Sequence, residues 1–241
     1  MQKVLTIGEV LVEIVATTRG DGFLQAQPLV GPFPSGAPAI FVDQCGKLGT
    51  PCAIVSRVGN DDFGRLNIDR LRADGVDVSG IEVAVGETTG SAFVRYRPDG
   101  SRAFLYNLRH AACGQIRPTP ASEALVDACG HLHVMGSALS APGLCRMVMD
   151  AARRIKARGG TISFDPNLRP ELLDAPGMRE ALGAILDMTD LFLPSGEELF
   201  LFDPGRDEAG AIAALLGRGI RTVVVKRGAE GASLFQRGLR V

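Results

Sequence analysis

The chain has 241 residues, 46% of them hydrophobic and 22% charged, with 26 basic against 27 acidic side chains. That length and balance suit one large α/β domain able to bury a substantial core. The near-neutral charge lacks the concentrated basic face that nucleic acids and membrane surfaces favour, so neither is expected as a partner.

The amino-terminal stretch is apolar, but Glu9 and Glu13 interrupt it, which makes it a strand rather than a signal peptide. No run approaches the roughly 18 apolar residues that cross a bilayer. The five cysteines, Cys45, Cys52, Cys113, Cys129 and Cys145, form no CxxC pair. An odd number without that spacing argues against a disulfide framework or a zinc ribbon and fits a reducing cytosol, so a cytoplasmic location is expected.

In chain order, Val4–Ile7 predicts a buried strand, Ala37 to Leu48 a helix closed by Gly49, and Ala53–Val58 the next strand. Gly59-Asn60-Asp61-Asp62 is a turn and helix-cap signal before Phe63, Leu66 and Leu71, with a stop at Gly75. Residues 88–107 alternate apolar and polar side chains around Pro98-Asp99-Gly100, the pattern of an antiparallel hairpin. Beyond it, strands are expected at His131–Met135, Thr161–Phe164, Leu191–Leu193, Thr222–Lys226 and Ala232–Phe235. Helices are expected at Pro142–Arg158, Met178–Met188 and Glu208–Leu216, and residues 236–241 carry no structural signal. Strands alternating with amphipathic helices predict a three-layer α/β/α sandwich with a mostly parallel sheet.

In open α/β sheets, ligands bind beyond the carboxyl ends of the strands. Three polar clusters fall at such ends: Asp165-Pro166-Asn167-Leu168-Arg169, Pro194-Ser195-Gly196-Glu197-Glu198 and Lys226-Arg227-Gly228. Each also has a purely structural reading. Ser195 to Glu198 satisfies the S-x-x-E capping box, and Gly228 and Gly231 suit a hairpin turn. The phosphate-binding G-x-x-x-x-G-K-[ST] loop is absent, and so is a G-x-G-x-x-G opening a helix after a strand. His131 and His133 stand two apart on one strand, but with no third ligand in view they read as packing rather than as a metal pair.

Together these residues resemble the ribokinase-like (PfkB) carbohydrate kinases, most closely the tagatose kinase and 2-keto-3-deoxygluconate kinase members. The resemblance rests on Gly8-Glu9, Ser35-Gly36-Ala37-Pro38-Ala39 running to Gly49, and Arg57-Val58-Gly59-Asn60-Asp61-Asp62-Phe63-Gly64. The hairpin, Asp165 to Arg169, Ser195 to Glu198 and Lys226-Arg227-Gly228-Ala229-Glu230-Gly231 complete it. It implies one sugar-kinase domain over residues 1–241, with a small β-lid from elements near 10–35 and 88–107, and a possible homodimer through that lid. It implies ATP and Mg²⁺ as cofactors and a ketohexose-like sugar of the tagatose or fructose type as substrate, phosphorylated on a primary hydroxyl. By matching position, Glu13, Gly36, Ala37, Tyr106, Arg109 and Arg169 would bind the sugar. Asn167, Ser195 and Glu198 would face the phosphates and Mg²⁺, with Glu198 the metal residue, and Lys226, Gly228 and Gly231 would line the nucleotide.

Two departures stand out. Ile40 occupies a position where many relatives carry asparagine, and Ser195 replaces the more usual asparagine. The Gly-Ala-Gly-Asp signature that carries the family's catalytic base is expected beyond Phe235 and is not found before Val241. The domain therefore reads as incomplete at its carboxyl end, with no catalytic residue assigned and no turnover expected of these residues alone. The alternative functions are a 2-keto-3-deoxygluconate kinase and a non-catalytic sugar- or nucleotide-binding remnant.

Overall fold

A computed structural model describes residues 2–20, 22–168, 173 and 176–237, and the backbone of 239–240. The chain divides into two compact units, one of residues 7–122 and the other of residues 2–6 and 123–241.

In the second unit, β1 (Val4–Ile7), β8 (His131–Met135), β9 (Thr161–Asp165), β10 (Leu191–Phe192) and β11 (Thr222–Lys226) are neighbouring parallel strands. Antiparallel β12 (Ala232–Gln236) and β13 (Leu239–Arg240) extend this sheet past β11. The strands are short apolar runs because helices bury them, and Leu5, Leu132, Ile162, Phe164 and Phe192 have at most trace exposure. Phe164 and Phe192 meet with ring centroids 5.6 Å apart.

Helix α4 (Pro142–Ala157) packs on β8 and β9, α5 (Met178–Leu186) on α4, and α6 (Glu208–Gly217) on β11. The sequence of α4 explains its placement. Pro142 opens it, where a missing N–H costs nothing, and Leu144, Met147, Val148, Ala151, Ala152 and Ile155 form one buried stripe at helical spacing.

In the first unit, β4 (Cys52–Gly59) pairs in parallel with β5 (Asp77–Ala84), and α1 (Ala37–Lys47) and α2 (Asp62–Ala73) pack on them. All eight residues of β4 are buried. A second, four-stranded sheet has the order β3 (Leu29–Ser35), β2 (Leu11–Arg19), β6 (Gly90–Tyr96), β7 (Arg102–Asn107). Strands β6 and β7 form the hairpin expected around Pro98-Asp99-Gly100, whereas β2 and β6 run parallel. Helix α3 (Pro120–Ala128) follows.

The α/β class with a mostly parallel sheet is therefore as the sequence indicates. Several details differ. β5 and α3 carry no strong sequence signal, because β5 has polar residues on an edge strand and α3 is short. Residues 239–240 do form a strand, supported by the ladder to β12 rather than by their own propensity. On α2 the buried residues are Gly64, Asn67 and Leu71, and Phe63 and Leu66 are only half-buried. Among the described residues no helix is long and apolar enough to cross a membrane.

Asp190 ties three elements of the second unit together. Its buried carboxylate accepts the Ile162 N–H at 2.9 Å, pairs with Lys156 at 2.8 Å and lies 3.3 Å from Arg221. Replacing it leaves a buried N–H without an acceptor. Asp190→Ala is expected to cost about 2–3 kcal/mol of unfolding free energy in urea titration. A loss below about 0.5 kcal/mol, the level of an ordinary surface change, would contradict this role.

Candidate functional site

The polar clusters of the second unit meet at the carboxyl ends of β9, β10 and β11. Asp165 closes β9 and Lys226 closes β11, and Lys226 Nζ lies 2.6 Å from Asp165 Oδ2. Burial pushes the Asp165 carboxyl up from its ordinary range, and the hydrogen bond and charge of Lys226 pull against it. Asp165 Oδ1 also accepts the Asn167 N–H at 3.1 Å, which turns the chain sharply after the strand. Asn167 sits at φ 40°, a left-handed conformation uncommon outside glycine that asparagine tolerates better than most, and its surroundings fix it there.

Glu198 supplies much of that fixing. Its Oε1 accepts the Leu168 N–H at 2.7 Å, and its Oε2 accepts the Ser195 N–H at 2.7 Å and the Ser195 hydroxyl at 2.8 Å. The predicted capping box is thus present, but it opens a 3₁₀ turn over Gly196–Phe200 rather than an α-helix. One carboxylate therefore holds the loop after β9 and the loop after β10 together. Ser195 also bridges to Lys226 in parallel fashion.

Gly228 and Gly231 flank the next turn at φ 58° and φ 88°, and the Arg227 N–H closes it on the Gly231 carbonyl at 2.8 Å. A Cβ on either glycine would meet nothing within 4 Å. Backbone conformation, not crowding, demands these glycines, and the turn leaves open space beside Lys226. Asn167, Ser195, Glu198 and Lys226 are thus brought together, with Gly228 and Gly231 on the adjoining turn. Arg169 lies outside the described residues.

Two further groups escape sequence reading. Asp165 counts there only as part of a loop, because its partner Lys226 is 61 positions away. Gly136, directly after β8, is the other. A Cβ there would lie 2.0 Å from the Pro166 carbonyl oxygen, so only glycine lets the Asp165–Leu168 loop take this path. Its one sequence signal is a glycine at a strand end.

The remaining sugar-side candidates lie in the first unit. Glu13 on β2 stands opposite Ala92 on β6, and Ala92 opposite Tyr106 on β7, so the three share one row and one face of the sheet. Phe33 on β3 completes the row. Tyr106 is half-exposed and stacks on Phe104 with ring centroids 5.4 Å apart. Gly36 caps α1 at φ 110°, and a Cβ there would lie 2.4 Å from the Glu9 carbonyl oxygen, so the position excludes any side chain. Ala37 is the first residue of α1, Ile40 lies one turn on and is exposed, and Arg109 follows β7 in an exposed loop.

The two histidines of β8 face Thr161 and Ser163 of β9. His131 bonds Thr161 Oγ1 at 2.8 Å and Ser163 Oγ at 2.7 Å, and His133 bonds Ser163 Oγ at 2.7 Å. Among the described residues no group of three or more His, Cys, Asp or Glu side chains is placed to hold a metal ion. Hydrogen bonding across the ladder accounts for the pair.

Polar groups gathered beyond the carboxyl ends of an open, mostly parallel α/β sheet lie where such folds bind their ligands. Along residues 1–241 the chain matches the model of the pfkB family carbohydrate kinases, and it belongs to that family. It is 32% identical to 2-dehydro-3-deoxygluconokinase of Thermoproteus tenax, over 99% of this chain and 73% of that protein. It is 30% identical to fructokinase-1 of Oryza sativa subsp. japonica, over 98% and 74%. Among solved structures it is similar to a candidate ribokinase II of E. coli in complex with ATP and Mg²⁺. That similarity has a TM-score of 0.93 at 48% identity, covering 100% of this chain and 77% of the other.

The buried histidines make stability acid-sensitive. Burial, with smaller contributions from His131 and Lys226, pushes the His133 imidazole down to about 3 from an ordinary 6.5. The neutral ring is thus the folded form, and its full contribution is present above pH 6.5. As the pH falls from 6.5 towards 3, the unfolded chain takes up a proton that the folded chain refuses, and stability drops by up to about 1.4 kcal/mol per pH unit. Urea titrations across pH 4–7 should show this slope reduced by about one proton in His133→Gln. An unchanged slope would mean that another group carries the proton uptake.

Proposed function

We propose that the chain serves MgATP-dependent phosphorylation of a primary hydroxyl on a ketohexose-like sugar of the tagatose or fructose type. The observation that carries this reading is the meeting of Asp165, Asn167, Ser195, Glu198 and Lys226 at one strand edge in a member of the pfkB carbohydrate kinases.

The donor set suits Mg²⁺ and a polyphosphate. Mg²⁺ keeps several waters and takes one or two carboxylates beside phosphate oxygens. Glu198 has three donors on its two oxygens, which leaves acceptor capacity for a metal-bound water. Lys226 offers a cation for phosphate, and the open backbone at Gly228 and Gly231 gives a nucleotide close approach. When bound, MgATP supplies the phosphoryl group and the metal charge that neutralises it. Asn167 and Ser195 would orient the phosphates, and Glu198 would hold the metal's water.

For the sugar, Glu13 would accept hydroxyl hydrogen bonds, and the backbone at Gly36 and Ala37 would approach the ring. Tyr106, Arg109 and Arg169 would fix its orientation, because a polyol needs several directional partners to present one hydroxyl. A 2-keto-3-deoxy sugar acid is the second reading. The 32% identity to the Thermoproteus tenax 2-dehydro-3-deoxygluconokinase favours it, and Arg109 or Arg169 would then serve the carboxylate. The exposed Leu29, Val30, Phe33, Leu105 and Tyr106 of the four-stranded sheet support a second copy of the chain as a partner there.

None of the residues assigned above is the family's base. A polypeptide of these residues alone is therefore proposed to bind its ligands without turning them over. The test is ATP-dependent phosphorylation of D-tagatose, D-fructose and 2-keto-3-deoxygluconate by residues 1–241 and by the full product of the reading frame. Turnover of a ketohexose by the full product, and at least about a hundredfold less by residues 1–241, is expected, since general-base help is worth ~10²–10⁴ in rate. Equal turnover by both would place a base within these residues, and turnover of the sugar acid alone would favour the second reading.

A further inference from the structure

We infer that Asp61 is a positioning residue for the sugar side, seating the root of β6 and the Arg109 loop through Thr89 in addition to capping α2. The inference rests on the assignment of Glu13 and Arg109 to sugar binding proposed above.

As an N-cap Asp61 behaves ordinarily, its Oδ1 accepting the Gly64 N–H at 2.8 Å. The same carboxylate does more. Oδ1 also accepts the Thr89 hydroxyl at 2.6 Å, and Oδ2 accepts the Thr89 N–H at 2.7 Å. The Thr89 oxygen in turn accepts the Gly59 N–H at 2.9 Å. Thr89 is 2% exposed, so this exchange takes place away from water, where charge-assisted bonds are strong and a lost partner is costly.

The glycines around it show that the seat is a close fit. A Cβ on Gly59 would lie 2.7 Å from both the Thr89 nitrogen and Asp61 Oδ2, and one on Gly64 would lie 3.0 Å from the Thr89 hydroxyl. The Gly59-Asn60-Asp61-Asp62-Phe63-Gly64 run is therefore shaped around a residue 25 or more positions later.

On its other side, the same segment grips the Arg109 loop. The Ala112 N–H donates to the Thr88 carbonyl at 2.9 Å. A Cβ on Gly90 would lie 2.6 Å from Cys113 Sγ, and one on Gly114 would lie 2.5 Å from the Arg109 carbonyl oxygen. Gly90 begins β6 and pairs with Leu11, which fixes the register that aligns Glu13, Ala92 and Tyr106. A single carboxylate thus stands at the root of β6 and, through the adjoining Thr88, beside the loop that carries Arg109. Arg57 supports the same segment through Glu87 at 2.8 Å.

The chain contains its own control. Asp207 caps α6 by accepting the Gly210 N–H at 2.8 Å, and among the described residues its side chain has no hydrogen bond to another element. Asp61→Asn, Thr89→Val, Thr89→Ser and Asp207→Ala are compared by hydrogen–deuterium exchange of residues 88–91 and 108–114, and by the Kd for sugar and for MgATP. Asp61→Asn and Thr89→Val should speed exchange in both segments and weaken sugar binding about tenfold, with MgATP affinity within about twofold. Thr89→Ser, which keeps the hydroxyl, should restore both, and Asp207→Ala should lower stability without either effect. Unchanged exchange at 108–114 in Asp61→Asn, or the same acceleration in Asp207→Ala, overturns the inference. If the parent chain binds no sugar at all, the sugar assignment fails while the exchange comparison still judges the clamp.

Discussion

The Glu198 carboxylate is the constraint on which the sheet edge of the second unit depends. Three donors from two loops converge on its two oxygens, and without it the turn after β9 loses its tie to the turn after β10. Asn167 is held in a left-handed conformation beside it, and Asp165 meets Lys226 across two strand spacings. A local capping residue has become the link between loops 30 positions apart. That double use explains why an acidic side chain is tolerated among other acidic groups here: each oxygen faces N–H or O–H donors rather than a second carboxylate.

The first unit uses the same economy with different groups. Asp61 is both helix cap and strand seat, and glycines at 59, 64, 90 and 114 allow backbone segments to approach where a methyl group would collide. Both units thus place polar function on loops whose backbones are fixed by buried or half-buried carboxylates. Such loops need little reorganisation when a ligand arrives, which is the advantage of preorganised binding groups.

Much of this is legible in the sequence, for identifiable reasons. Helices α1, α2 and α4 announce their ends through Gly49, Gly75 and Gly159, all at positive φ, because a left-handed C-terminal residue is a local demand. The β6–β7 hairpin follows from alternation around Pro98-Asp99-Gly100. The polar clusters are visible because they are unusual at strand ends. What the sequence hides is long-range: the Asp165–Lys226 pair, the Thr89 seat of Asp61 and the Gly136–Pro166 approach each join residues at least 28 apart. Ser195 to Glu198 reads two ways in sequence, as a cap or as a site. The structure shows the capping contact, and also the Leu168 bond that no local rule predicts.

The proposal that Glu198 organises a nucleotide-binding edge is most directly tested by titrating MgATP into the chain and into Glu198→Gln by calorimetry. Glutamine keeps the shape but removes the charge and turns one acceptor into a donor, so at least one of the Leu168 and Ser195 bonds is lost. MgATP affinity should fall at least about tenfold, the equivalent of about 1.4 kcal/mol, with sugar affinity unchanged. MgATP binding as tight in Glu198→Gln as in the parent chain would contradict it.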